Sequence, residues 1–280
     1  MTMSPTSLPS ISQASGILIG STRQNVGNLA VAALGLAAIV VLVVWATREY
    51  RRKGRPHLWV LLGASLLTYL TDAAARMLTG LQSHPGANGL VLYRAFGIDI
   101  AIWMGLVFPA YVGFIGYATY RAIAEGHSRR RFWLILVISG AVDTTGEYVM
   151  MHAANLFTYT GAQPLKLFGL PLVWPWAFVS APMLMGATVA LLSHKIHGMR
   201  WLLALPLLGS GYLGYLAALF WPVIVARATG MSSLALSGIG LVSLGCMLAT
   251  LYLVSLFLPS GSLPRPSAAL AAEDSTPAAH

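Results

Sequence analysis

Charge is the scarcest commodity in this chain. Asp, Glu, Lys and Arg together make up 9% of 280 residues, while 57% are hydrophobic; a soluble domain carries about 25% charged residues. So little charge excludes an ordinary water-soluble globule and points to a polytopic membrane protein. Cysteine is nearly absent as well. Cys246 stands alone inside an apolar run, which excludes an intrachain disulfide framework. A phosphate-cradling Walker loop, a dinucleotide glycine fingerprint, a haem-attaching Cys pair and a clustered His motif are all missing, and the first 25 residues lack the basic start of a secretory signal. Acidic residues number only eight, leaving a net charge of +9. The bases sit in short loops between apolar runs, which is the positive-inside pattern rather than a nucleic-acid surface. The expected partner of those loops is anionic lipid, and no nucleic acid is expected.

What the chain has in abundance is apolar runs. A spanning helix needs about 20 mostly apolar residues. Seven runs qualify: 26–47, 58–78, 98–120, 132–153, 172–193, 201–224 and 234–258. The reading is an all-α, multi-pass helix bundle over 26–258, preceded by a polar segment (1–25) and followed by a small, polar, proline-containing tail (259–280) expected to be disordered. Eleven Lys and Arg residues fall in the connections at 48–57, 121–131 and 194–200. Arg23, Arg94, Lys166 and Arg227 are spread one each over the N-terminus and the alternate loops. That split predicts an outside N-terminus, a cytoplasmic C-terminus and residence in the cell membrane.

Four of the acids, Asp72, Asp99, Asp143 and Glu147, lie within the predicted spans. The orientation puts all four in the middle or outer half of the bilayer, with Arg76, Arg94, His152, Tyr159 and Lys166 at or near the same level. A carboxylate at mid-membrane costs about 2.5–3.5 kcal/mol on insertion scales, so it normally faces a bundle interior or a cavity. Asp72 and Arg76, at i,i+4, have the spacing of a structural ion pair. Asp143 and Glu147, in the stretch DTTGEY, have no base nearby in sequence. Two carboxyls one turn apart in a low dielectric repel, so the pair is expected to hold one proton between them. Such a pair suits general acid–base catalysis, with one group giving a proton and the other receiving one. It suits proton-coupled transport equally, and a non-catalytic sensor or scaffold would use the charges only to tie helices together.

Two further patterns stand out. Asp72 is followed by FGIDIAIW (96–103), and Asp143 by FGLPLVWPW (168–176), at nearly equal distances. This suggests a parallel internal repeat of the second and third spans in the fourth and fifth, with Asp72 and Asp143 at matching depths. The loop NLFTYTGAQPLKLFGLPLVWPW (155–176) combines Phe157 and Tyr159 with turn-forming Pro and Gly; Trp174 and Trp176 suit a membrane interface. His194 and His197 have no carboxylate near them, and His152 follows Glu147 at the wrong offset for a di-metal ligand pair. No metal and no cofactor are expected.

The stretch VDTTGEYVMMHAANLFTYTGAQPLKLFGLPLVW resembles the core of the AveC-like spirocyclase family of actinobacterial membrane proteins. In that family an Asp and a Glu close together in a membrane helix precede an aromatic-Tyr-Gly segment and a Pro-Leu helix start. Asp143, Glu147, Tyr159, Gly161 and Pro171-Leu172 stand at those places, with Asp72 at an upstream acidic position; Val173 and Trp174 stand where the family carries a Glu. Glu147, Tyr159 and Gly169-Leu170-Pro171 are similar in order to the CruF-type carotenoid hydratases. Both resemblances imply cofactor-independent, acid-catalysed cyclisation, hydration or dehydration of a lipophilic polyketide- or isoprenoid-like substrate. The implied catalytic residues are Asp143, Glu147, Asp72 and Tyr159, supported by Arg76, Asp99, His152, Arg94, Lys166 and Trp174.

Overall fold

The computed structural model describes residues 21–84, 87 and 91–258; the greater part of the polar N-terminal segment and the whole tail from 259 lie outside them. Eight helices are present among the described residues: α1 (Thr22–Lys53), α2 (His57–Leu70), α3 (Asp72–Thr79), α4 (Ile102–Ala124), α5 (Arg129–Tyr148), α6 (Val173–Leu192), α7 (Trp201–Ala228) and α8 (Ser233–Ser255). Six are long and apolar enough to cross a membrane, and α2 with α3, bent by 58° at their junction, reach that length and apolarity only when taken together. The molecule is an all-α polytopic membrane bundle. Its surface carries an apolar coat, including Leu203, Leu207, Leu241, Val242 and Leu253, that lipid covers.

Local chemistry sets the helix ends. A capping box between Ser21 and Gln24 starts α1, and Gly54 in the left-handed region stops it after Arg51, Arg52 and Lys53. The second apolar run is not one straight helix. At Thr71 the chain leaves helical geometry, and the Thr71 hydroxyl donates to the Thr68 carbonyl at 2.7 Å. The hydroxyl of Tyr93 is shared between the carbonyls of Tyr69 and Leu70, at 3.0 and 3.1 Å, satisfying oxygens that the break releases. The third run also departs from expectation. Residues 98–101 are a strand, and α4 begins only at Ile102.

Antiparallel order gathers the three basic connections at one end of the bundle. At the other end six short strands form three antiparallel pairs: β1 (Leu81–Ser83) with β4 (Phe157–Tyr159), β2 (Val91–Ala95) with β3 (Ile98–Ala101), and β5 (Lys166–Leu167) with β6 (Leu170–Pro171). The suspected repeat is visible in this order. Each unit is an outgoing helix with an irregular end, a single strand, a two-stranded hairpin and a returning helix. In the first unit the irregular end is the bend at Thr71; in the second it is a π-helix at Val149–Ala153. The single strands, β1 and β4, pair with each other. Both Phe-Gly pairs turn the hairpins, with positive φ at Phe96 (52°), Gly97 (73°), Phe168 (48°) and Gly169 (87°). Two consecutive positive φ angles are what a type I′ hairpin turn requires, and glycine at the second position makes it affordable sterically.

The returning helices α4 and α6 pack closely along the middle of the bundle. A Cβ on Gly116 would lie 3.2 Å from the Pro182 carbonyl oxygen, and one on Gly186 would run into the Gly116 carbonyl, so both glycines permit this approach. α6 is the innermost helix, with Val173, Trp174, Ala177, Val179, Met183 and Val189 wholly buried. α1 is peripheral and leans on α4, where a Cβ on its Gly35 would sit 3.1 Å from Leu106 Cβ.

Candidate functional site

Asp143 and Glu147 sit one turn apart near the end of α5, immediately before the π-helix, a deviation often found beside functional sites. Both line a cavity of about 760 Å³ in the strand-end half of the bundle. Its walls come from α1, α3, α4, α5 and α7, together with strand residues Leu81 and Phe157 and α6 residue Phe178. Asp72 and Arg76 reach it from α3, which the bend at Thr71 angles across the bundle. Apart from these four ionisable groups the lining is mainly apolar and aromatic, with Trp103, Phe108, Phe157, Phe178 and Tyr212 among it. Leu34 on α1, Val142 on α5 and Val149 in the π-helix line the cavity and are also exposed on the outer surface. The cavity therefore reaches the lipid-facing side between α1 and α5.

The ionisable groups are held in different ways. Arg76 Nε donates to Asp72 Oδ2 at 2.7 Å, with both side chains almost fully buried, and Arg76 Nη1 donates to Ser83 Oγ at 2.8 Å. Glu147 is buried and receives the Tyr159 hydroxyl, which lies 3.0 Å from Oε1 and 2.9 Å from Oε2. Tyr159 stands on β4, outside the spans. Burial, then the Glu147 carboxyl, pushes its phenol well above the ordinary range, so it keeps its proton and acts as a donor. Asp143 is different. Its Oδ2, like the hydroxyl of Tyr111 on α4, is buried and meets no partner at hydrogen-bond geometry. Both atoms thus keep bonding capacity unspent beside an apolar chamber.

Asp143, Glu147, Asp72, Arg76 and Tyr159, far apart in sequence, come together here. The other expected support residues do not. Asp99 is in β3 rather than in a span, and it pairs at 3.0 Å with Arg94 across the β2–β3 hairpin, with Arg94 largely exposed. The hairpin consumes residues 98–101 before the helix can start, which carries Asp99 away from the cavity. His152 Nε2 contacts the Phe168 carbonyl at 2.8 Å, tying the π-helix to the β5–β6 turn. Lys166 is exposed on β5. Trp174 is no interfacial residue. It is fully buried, and its indole N–H donates to Gln163 Oε1 at 2.9 Å, while Gln163 Nε2 donates to the carbonyls of Thr79 and Thr160. Trp174 braces the loop that carries Tyr159 and does not line the cavity.

The sequence reading missed Tyr111, Tyr212 and the aromatic wall. Single aromatics inside apolar runs are ordinary, so no local signal distinguishes them. It also missed the bracing role of Arg227, whose guanidinium donates to the carbonyls of Leu78, Thr160 and Ala162 and closes the strand end over α7. Among the described residues no cluster of three or more His, Cys, Asp or Glu converges as a metal site would. Comparison with family models, with curated proteins and with solved structures returns no match.

Proposed function

We propose that this chain is an acid–base enzyme of the cell membrane that cyclises, hydrates or dehydrates a lipophilic, polyketide- or isoprenoid-like substrate without a cofactor. One observation carries the reading: Asp143 and Glu147 stand one turn apart in the wall of a cavity of about 760 Å³ that is otherwise mainly apolar and reaches the lipid-facing surface. An apolar chamber with a few convergent polar groups is the usual form of a small-molecule site. A substrate dissolved in the bilayer has a direct route to it between α1 and α5.

Asp143, with an unpartnered oxygen, delivers a proton to an alkene, hydroxyl or carbonyl of the substrate. Glu147, oriented by Tyr159, takes a proton from the carbon or oxygen that the product must lose, and the proton returns to Asp143 to close the cycle. Positive charge that develops between these steps lies among the faces of Trp103, Phe108 and Phe178, which favour a cation. Asp72 and Arg76 present a neutral, fixed pair at the cavity edge. The resemblance to the AveC-like spirocyclases and CruF-type hydratases implies the same reaction class. The test compares metabolites of a deletion strain complemented with the wild type, Asp143→Asn or Glu147→Gln, with folded protein quantified in each. The wild type is expected to restore a product that both variants fail to make. Restoration by both variants overturns the reading.

A further inference from the structure

A second cavity, of about 660 Å³, lies at the basic end, where the α1–α2 turn meets the α6–α7 connection. It shares no residue with the carboxyl-lined chamber. Arg55, His57 and His197 line it, and no Asp or Glu does. Arg55 is exposed and pairs with no acid among the described residues. His57, the first residue of α2, is nine-tenths buried, packed 4.4 Å from the Tyr120 ring and 5.1 Å from the Trp201 ring. Its Nδ1 is buried without a hydrogen-bond partner. The first turn of α2 carries neither a side-chain cap nor an acid, so its backbone N–H groups add a positive dipole end to the same place. Trp59, Val60, Leu202 and Leu205 give it apolar lining, and of these Trp59 and Leu202 are also part of the exposed apolar surface.

We infer that this cavity is a binding site for an anionic phospholipid. The phosphate is held by Arg55 and His197 over the α2 N-terminus, and an acyl chain lies along Trp59 and Leu202. The Arg55 guanidinium and an uncapped helix start select a phosphate. The apolar wall that continues onto the lipid-facing surface selects a phosphate carrying a hydrocarbon chain over a free ion, and the surrounding basic loops raise the local concentration of anionic lipid.

The test uses the full chain in detergent micelles, with thermal stability followed as lipid is titrated. Dioleoylphosphatidylglycerol is expected to stabilise it saturably at concentrations where dioleoylphosphatidylcholine does not. The double variant Arg55→Gln/His197→Gln changes only exposed side chains, so it folds, and it is expected to raise the half-saturating concentration at least about tenfold, the loss of one charge-assisted hydrogen bond or more. Arg130→Gln, an exposed base of the same end outside the cavity, is expected to leave it unchanged. Equal stabilisation by the two lipids overturns the proposal, as does weakening by Arg130→Gln equal to that of the double variant. Inorganic phosphate that reproduces the whole effect overturns the lipid assignment and makes the ligand a free anion.

Discussion

Removing Arg76 while leaving Asp72 in place is the sharpest perturbation of the bundle's polar interior. The two groups meet at 2.7 Å with side-chain exposures of 2% and 6%, so water does not screen them. Breaking a buried pair by deleting one partner costs about 3–5 kcal/mol, because the survivor is left uncompensated, whereas replacing both with apolar groups is often close to neutral. Arg76→Met also takes a charged donor from Ser83, adding about 1.5 kcal/mol. Arg76→Met and Asp72→Leu are therefore each expected to lose at least about 3 kcal/mol, with the double variant Asp72→Leu/Arg76→Met losing far less than the sum of the two. The interaction term should be at least about 3 kcal/mol. Equilibrium unfolding in mixed micelles measures it. Single variants that each lose under about 1 kcal/mol and combine additively would refute the reasoning. The same double variant separates support of chemistry from simple bracing: if it folds but restores no product, the pair serves the reaction.

Three other perturbations follow from the geometry. Tyr159→Phe leaves the buried Glu147 without its donor and is expected to destabilise the chain by about 1.5–3 kcal/mol, with no further loss of turnover when added to Glu147→Gln; an additive loss of turnover would uncouple the two residues. Val142→Trp places a large ring at the opening between α1 and α5, at a position already exposed, so product formation should fall while stability changes by less than about 0.5 kcal/mol; undiminished product would move the access route elsewhere. At the basic end Arg121 hydrogen-bonds Glu125 and holds its carboxyl below the usual range. Its contribution, at most about 1 kcal/mol for an exposed pair, is complete at neutral pH and fades as pH falls through the ordinary carboxylate range towards the lowered value. Glu125→Gln should flatten stability across that acid interval, and an unchanged slope would contradict this.

The spans were legible because lipid imposes a length and an apolar character that a sequence displays directly. Where the chain leaves the helix was not. The run 58–78 carries no proline or glycine near Thr71 to mark a break, and only Tyr93, more than 20 residues away, supplies the hydroxyl that stabilises the bend. Residues 98–101 are as apolar as a helix start, but their Phe-Gly turn and the facing strand decide for a hairpin. Loop charge and span order put Asp72, Asp99, Asp143 and Glu147 in the middle or outer half of the bilayer and leave the rotation of each helix undetermined. For that reason Asp99 falls with the cavity acids in the sequence while Tyr111 carries no signal. Trp174 shows the same limit: a tryptophan at a helix start reads as interfacial until a partner such as Gln163, eleven residues earlier, is seen to claim its N–H in the core.

The central claim is that Asp143 and Glu147 move protons on and off a bound molecule. Its most direct test incubates purified protein in D₂O with the compound that accumulates in the deletion strain. Wild-type protein is expected to convert it to product, carrying solvent deuterium wherever the proton is delivered to carbon, and Glu147→Gln to leave it unchanged. Recovery of the compound unaltered with wild-type protein, while reconstituted vesicles carry it across their membrane, would contradict the claim and assign the acids to transport.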